Sequence, residues 1–371
     1  MNTGMVLSHK ALLQVDRDYE KAASVVHLRY VSDSGPGIGR VKRGKGYCYL
    51  LDGKPVKDVE ELGRIKSLAI PPSWTSVWIC PAANGHIQAT GLDLRGRKQY
   101  RYHAKWNSLR TETKFHRLYE FGKALPLLRK KIDADMRQKE VNQDGQKEGS
   151  GDRQQALSRD RVLATVLSLM ERTYIRVGNN EYEKANGSYG LTTLKNKHVA
   201  ISGDRLVFSF PGKKGVRHDI TLRNKRLARA VSLCKEIPGA ELFQYYAEDG
   251  TRHGIDSGMV NQYIKDATGM DFTAKDFRTW AGSLHALRAF AELGEACSEA
   301  ECKKNVVAVF DAVSRELGNT RAVCKKYYVH PGLVQLYEEN KLNKYLSDAG
   351  GTEEEVLMKI LQKYIRVSPL G

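Results

Sequence analysis

The sequence lacks most of the features that would assign a chain to a class at once. No run approaches about eighteen apolar residues, so no segment is expected to span a membrane. The opening stretch, MNTGMVLSHKALLQVDRDYEK, has no apolar core followed by a small-residue cleavage site, and no signal peptide is expected. Six cysteines, at 48, 80, 234, 297, 302 and 324, occur without C-x-x-C spacing. That scatter argues against a disulfide framework and against a zinc site, and fits a reducing cytoplasm. A nucleotide-binding loop is missing too. GRVKRGKG (39–46) fits G-x-x-x-x-G-K, but Gly46 stands where a P-loop needs Ser or Thr for magnesium. The segment is expected to be a basic hairpin edge instead.

What is present is positive charge. Lysine and arginine outnumber aspartate and glutamate by 60 to 43, for a net charge of +17 over 371 residues. Such a bias points to a polyanion, and nucleic acid leads because no clear basic amphipathic helix suggests a membrane surface. Apolar residues at 41% and charged residues at 28% allow real cores, and the length suggests two or three domains.

The hydrophobic period divides the chain. Residues 1–111 are expected to be β-rich. In GRVKRGKGYCYLLDGKPV, Tyr47, Tyr49 and Leu51 alternate ahead of an Asp52-Gly53 turn. TSVWICPAANGHIQATGLD repeats the pattern with Val77, Ile79 and an Asn84-Gly85 turn, and GRKQYRYH places Tyr100 and Tyr102 on one strand face. Residues 112–371 are expected to be mainly α-helical. TKFHRLYEFGKALPLLRKKIDADMRQK carries Phe115, Leu118, Tyr119, Leu125 and Leu128 at helical spacing. The polar segment 140–155 reads as an exposed loop. The next helix sets Leu163, Val166, Leu167, Met170 and Tyr174 on one stripe, with Gly178 as its C-cap. Residues 198–222 form three alternating runs separated by Gly-Asp and Pro-Gly-Lys-Lys-Gly, which predicts a three-stranded antiparallel sheet. Beyond it, Thr273 and Asp276 form a loose capping box for a helix with Phe277, Trp280, Leu284, Leu287 and Ala291 on its stripe. A further amphipathic helix ends at Gly318. The fold class expected is α+β.

Several side chains admit both an ordinary and a chemical role. Arg176 sits at the predicted C-terminal edge of an apolar helix, where a cation also complements the dipole. Lys213 occupies the tip of the tight turn FPGKKG, usually a solvated position. Arg278 borders a buried stripe, where its stem can simply cover apolar surface. Tyr327 and Tyr328 are adjacent in GNTRAVCKKYYVHP, and helical geometry cannot choose between them: Val323 would support one ring, Cys324 the other. RGRKQYRYH interleaves cations with aromatic rings, as a surface for a polyanion with flat bases would.

The order of these residues resembles a known family. Arg176, Lys213, Arg278, Asn319 and Tyr328, with the lysine on a strand turn, are similar to the catalytic set of type IB DNA topoisomerases, in their poxvirus and bacterial branch. LRYVSDSGPGIGRVKRGKGY, AIPPSWTSVWICP, GLDLRGRKQYRYH and TKFHRLYEFGKALP look like that family's N-terminal half. IRVGNNEYEKANGSYGLTTLKNKHV, FPGKKG, TAKDFRTW and LGNTRAVCKKYYVHP look like its catalytic half. The family's nucleophilic tyrosine lies nine residues after the polar residue of the LGNT segment, which selects Tyr328 and leaves Tyr327 as the packing partner. Poxvirus members carry His where this chain has Asn319, and Asn looks usual for the bacterial branch. Asn319 keeps a hydrogen-bond donor but cannot titrate.

The resemblance implies relaxation of supercoiled duplex DNA through a 3′-phosphotyrosyl intermediate, strand rotation and religation, without ATP, metal or other cofactor. It implies a monomer whose two parts clamp double-stranded DNA from opposite sides, working in the cytoplasm at the nucleoid. Arg97, Gln99, Tyr100 and Tyr102 match its major-groove strand, and Tyr182 and Lys275 match phosphate or minor-groove contacts. Two alternatives stand beside it. A tyrosine recombinase would usually carry His-x-x-Arg where this chain has Lys275-Asp-Phe-Arg278, and a helical N-terminal domain. A non-enzymatic basic DNA-binding protein would use the charge alone.

Overall fold

A computed structural model describes residues 13, 15–16, 18–44, 46–94, 96–137, 157–347 and 351–367. The polar segment 140–155 and the side chain of Tyr182 lie outside the described residues. The chain divides into two units, Met1–Arg117 with Tyr364–Gly371, and Leu118–Lys363.

The first unit is built on a six-stranded antiparallel sheet. Its elements are α1 (Tyr19–Val25), β1 (Ile38–Arg43), β2 (Gly46–Leu51), β3 (Lys54–Pro55), α2 (Val59–Ser67), β4 (Thr75–Ile79), β5 (Ile87–Leu92) and β6 (Lys98–Tyr102), in the sheet order β3-β2-β1-β4-β5-β6. Asp52 and Gly53 have φ of +49° and +77°, the pair of left-handed residues that a tight hairpin needs. Asn84-Gly85 does not make the second such turn. β4 and β5 are joined by residues 80–86, in which the Arg29 N–H donates to the Asn84 carbonyl and the His86 N–H to the Arg29 carbonyl. The incoming segment before β1 thus takes the hydrogen bonds that a two-residue turn would have closed. Ile38, Ile65, Val77, Ile79 and Ala89 form the core between the sheet and α2. The basic segment 39–46 is the β1–β2 hairpin, with no helix after it, as expected.

A long helix, α3 (Ala104–Met136), starts ahead of the expected position 112 and carries Pro126 inside it. Its Leu118, Phe121, Leu125 and Leu128 are buried in the second unit. There α4 (Arg159–Thr173) is the central helix: Val162 to Met170 are buried without a break, the pattern of a helix covered on all sides. Then come α5 (Asn180–Asn186), β7 (Val199–Ser202), β8 (Arg205–Pro211), β9 (Arg217–Arg223) and α6 (Lys225–Glu236). β7, β8 and β9 form the expected three-stranded antiparallel sheet. A short hairpin, β10 (Gln244–Tyr246) and β11 (Arg252–Gly254), leads to α7 (Ser257–Thr268) and α8 (Ala274–Leu293). The rest is α9 (Glu299–Leu317), α10 (Arg321–Tyr327), α11 (Pro331–Glu338), α12 (Asn343–Ser347) and α13 (Glu353–Val367). The class is α+β. Among the described residues no helix is long and apolar enough to cross a membrane.

The local signals mostly act as chemistry requires. Asp276 accepts the Thr273 N–H at 2.8 Å and its hydroxyl at 3.0 Å, starting α8. Phe277, Trp280 and Leu287 of its stripe are buried, but Ala291 is exposed and Phe290 fills the core instead. α4 stops earlier than expected. Tyr174, not Gly178, is its cap, in the left-handed conformation (φ 54°, ψ 16°), with its N–H on the Met170 carbonyl at 3.0 Å. Arg176 therefore stands on the non-helical segment after the helix. Gly178 is needed there for another reason: a β-carbon on it would lie 2.8 Å from Thr192 Oγ1.

Phe121 is fully buried at the junction of α3 and α8, edge-on to Phe272, Phe277 and Trp280 at 5.3, 5.1 and 6.3 Å. Phe121→Ala leaves a void there and is expected to cost about 3–5 kcal/mol. Urea unfolding monitored by circular dichroism would measure it as a lowered midpoint at constant slope.

Candidate active site

The site is organised by the end of α9. Gly318 caps that helix with φ +55°, and the Asn319 N–H returns to the Ser314 carbonyl at 3.0 Å. The last carbonyls of a helix have no intrahelical partner and carry the negative end of its dipole. Here two of them hold arginines. Arg278 Nη2 donates to the Leu317 carbonyl at 2.6 Å, and Arg176 Nη2 donates to the Gly318 carbonyl at 3.1 Å. Arg176 also donates to Asn319 Oδ1 at 2.6 Å. Arg278 Nη1 donates to the carbonyl of Tyr174, the cap of α4. Two helix C-termini thus converge on the two guanidinium groups.

Among the described residues no carboxylate neutralises them: neither Arg176 nor Arg278 forms an ion pair, and Arg278 Nε is buried with no partner. Arg278 is only 5% exposed, so it lies inside the buried face rather than at its border. Burial, and then the charge of Arg278, push the pKa of Arg176 down to about 10, which still leaves it charged at neutral pH. Two buried or half-buried cations held by dipoles alone retain their full charge for an anion.

Tyr328 lies against them. It caps α10, with its N–H on the Cys324 carbonyl at 3.0 Å and its own carbonyl accepting from the Ser283 hydroxyl at 3.3 Å. The approach of α8 is close enough that a β-carbon on Gly282 would stand 2.5 Å from the Tyr328 carbonyl oxygen. Arg278 Cζ is 5.3 Å from the centroid of the Tyr328 ring. Tyr327, expected to be the packing ring, is instead 40% exposed, with Lys326 Nζ 5.3 Å from its centroid. The buried residue of this helix is Cys324, and Tyr328, one turn on, shares its inward face; Tyr327 is rotated away.

Arg176 is therefore in direct contact with Asn319 and Arg278 with Tyr328, and the two pairs meet at the carbonyls that end α9. Lys213 stands apart, exposed on a single 3-10 turn between β8 and β9. A link between that turn and the arginines runs through His218, which the sequence reading passed over. Burial, followed by the charges of Arg176 and Arg278, lowers its pKa from the ordinary histidine value, so the ring is neutral at pH 7. The two-residue period of β9 was the available signal, since it turns His218 inward between outward Arg217 and Asp219.

Residues 103–352 match the family model described as eukaryotic DNA topoisomerase I, catalytic core, and residues 46–93 match that of the bacterial DNA topoisomerase IB N-terminal domain. The chain is 32% identical over 338 residues to DNA topoisomerase 1B of Acanthamoeba polyphaga mimivirus, covering 88% of this chain and 95% of that one. It is 23% identical over 286 residues to DNA topoisomerase 1B of Vaccinia virus (strain Copenhagen), covering 76% and 81%. The chain belongs to the type IB DNA topoisomerases. Both alternatives, a tyrosine recombinase and a non-enzymatic basic binder, fall with that membership.

In this topoisomerase the expected DNA-contacting strand is β6, at the edge of the six-stranded sheet. Tyr100 and Tyr102 are 42% and 39% exposed and stacked at 5.7 Å with an interplanar angle of 9°, on one face as expected. Arg97 and Gln99 are both tied to Asp93: Arg97 Nη2 at 2.7 Å and Gln99 Nε2 at 3.0 Å share its Oδ2. One carboxylate thus occupies donors of both side chains and offsets the charge of Arg97. Lys275 is exposed on the first turn of α8, one turn from Arg278.

Gly318 combines a left-handed backbone with crowding, because a β-carbon there would lie 2.7 Å from His218 Cε1. Gly318→Ala should therefore cost at least about 1–2 kcal/mol of stability. Thermal unfolding would register this as a Tm lowered by several degrees. A control Gly→Ala change at Gly63, which has open space around it, should move Tm far less.

Proposed function

We propose that this enzyme relaxes supercoiled duplex DNA by attack of Tyr328 on a backbone phosphodiester, forming a 3′-phosphotyrosyl bond and releasing a 5′-hydroxyl. The observation that carries the proposal is the pair of guanidinium groups at Arg176 and Arg278, held by helix-end carbonyls with no carboxylate partner among the described residues and with the Tyr328 ring against one of them.

The chemistry follows from those positions. A neutral phenol is a weak nucleophile, so its attack gains most from cations placed around the phosphate. As the Tyr328 oxygen bonds to phosphorus, negative charge grows on the non-bridging oxygens. Arginine presents paired N–H donors that match two such oxygens, which a lysine matches less well. Arg176 and Arg278 take that role, and Asn319 adds an amide donor. When the phosphorus–O5′ bond breaks, the departing oxygen needs a proton, and Lys213 supplies it as general acid. One phosphoester is exchanged for another at nearly constant energy, so the covalent link retains what religation requires and no ATP is consumed. The free 5′ end rotates, torsion is lost, and the same steps run in reverse.

The exposed rings of β6, with Arg97, Gln99, Tyr100 and Tyr102, are assigned to the major groove of the duplex, and Lys275 and Tyr182 to phosphate or minor-groove contacts. The enzyme acts as a monomer at the nucleoid in the cytoplasm.

The test is supercoiled plasmid incubated with the protein in EDTA, without ATP. Stepwise relaxation is expected. Tyr328→Phe should abolish it while leaving DNA affinity nearly unchanged, and Tyr327→Phe should retain it. Arg176→Ala or Arg278→Ala should slow single-turnover cleavage by about 10²–10³-fold. Relaxation by the Tyr328→Phe protein would refute the assignment of the nucleophile.

A further inference from the structure

We infer that His218 is a positioning residue for the cleavage reaction: its ring wedges the Lys213 turn against the Gly318–Asn319 turn and so fixes where the lysine meets the departing 5′ oxygen. The inference rests on the reading of Lys213 as the general acid.

Lys213 needs such a support. Its turn is closed locally by the Gly212 N–H on the Val216 carbonyl at 2.7 Å and the Gly215 N–H on the Gly212 carbonyl at 3.0 Å. Those bonds shape the turn, and the Tyr189 N–H on the Pro211 carbonyl at 2.9 Å anchors its start, but none of them runs to the Gly318–Asn319 turn. The β8–β9 register pairs Phe210 with His218, immediately before the turn. The imidazole stacks on the Phe210 ring at 5.2 Å with an interplanar angle of 23°.

Two glycines then enclose the ring. A β-carbon on Gly212, next to Lys213, would lie 2.4 Å from His218 Cδ2 and 2.5 Å from its Nε2. One on Gly318 would lie 2.7 Å from His218 Cε1. One face of contact is therefore the backbone that carries Lys213, and the other is the backbone whose carbonyl holds Arg176 and whose next residue is Asn319. Each glycine is where a side chain would have displaced the ring. Gly212 has an extended backbone, so its identity answers to this contact and not to a conformational demand.

The charges around the ring fit the same role. Arg176 and Arg278 face it, while Asp219, its neighbour on β9, accepts from Ser209 Oγ and pairs with Arg217 on the outward side of the strand. A neutral ring fills the space between two turns without adding a third cation that would compete for the phosphate. Since a misplacement of about 1 Å can cost about 10²-fold in rate, a rigid spacer at this point controls proton delivery.

The experiment is single-turnover cleavage of a DNA duplex carrying either the ordinary phosphodiester or one with sulfur in place of the bridging 5′ oxygen. A thiolate departs without a proton, so the sulfur substrate bypasses the general acid. His218→Ala should slow cleavage of the ordinary substrate by about 10–100-fold and of the sulfur substrate by less than about threefold. DNA affinity should be unchanged. His218→Phe, which keeps a ring on Phe210, should recover most of the rate, and it keeps the test meaningful should the alanine variant fold poorly. Lys213→Ala should show the same selective loss. Equal losses on both substrates with either His218 variant, or no loss with His218→Ala, would overturn the inference while leaving a selective Lys213→Ala defect intact. A Lys213→Ala protein without that defect would remove the general-acid reading, and this inference with it.

Discussion

The arrangement of the whole site depends on one constraint, the left-handed turn at Gly318. By ending α9 there, the chain turns two helix-end carbonyls, at Leu317 and Gly318, toward Arg278 and Arg176. A second helix end, the Tyr174 carbonyl beyond α4, meets Arg278 from the other direction. Dipoles can hold a guanidinium in place without cancelling its charge, whereas a carboxylate would hold it and neutralise it. That distinction separates this site from the ion pairs elsewhere in the same unit. Arg129, for example, is matched by Glu171 and Glu354 at 2.6 and 2.7 Å, which raises its pKa above the ordinary arginine value and leaves it no charge to offer.

Packing around that turn explains why so many small residues cluster near it. Gly282 admits the Tyr328 backbone, and Ser283 binds the Tyr328 carbonyl and the His330 N–H together at 3.3 and 3.0 Å. These contacts fix the end of α10 against α8, the helix that carries Arg278. The tyrosine and the arginine are thereby referred to one element, α8. The β6 strand of the other unit follows a different logic. Its rings are exposed, and the donors of Gln99 and the neighbouring Arg97 share one carboxylate.

Much of the fold was legible because its signals are local. The Asp52-Gly53 hairpin, the Thr273–Asp276 cap, the Gly318 stop and the three alternating runs at 198–222 each depend on residues within a few positions of one another. The misreadings share the opposite character. Asn84-Gly85 looked like a tight turn, but Arg29, far away in sequence, takes its hydrogen bonds. Gly178 looked like a helix cap, but its lack of a β-carbon serves Thr192 and Thr193, and Tyr174 ends the helix with its carbonyl on Arg278. Tyr327 was left as the packing ring once the family spacing had selected Tyr328, since Val323 and Cys324 could not decide between them, yet the inward face of α10 is set by what α8 presents to it.

By itself the sequence determined the class of partner, the α+β division, the helix and hairpin boundaries set by short-range chemistry, and, through the order of its motifs, the family. Those follow from charge, period and capping, which act over a few residues. Only the tertiary structure decided which arginine is buried, which tyrosine faces inward, and that His218 lies between the Lys213 and Gly318 turns. Those outcomes depend on close approach of segments distant in sequence, from Ser283 and Tyr328 to Arg176 and Gly318, and no local pattern encodes where two distant backbones will meet.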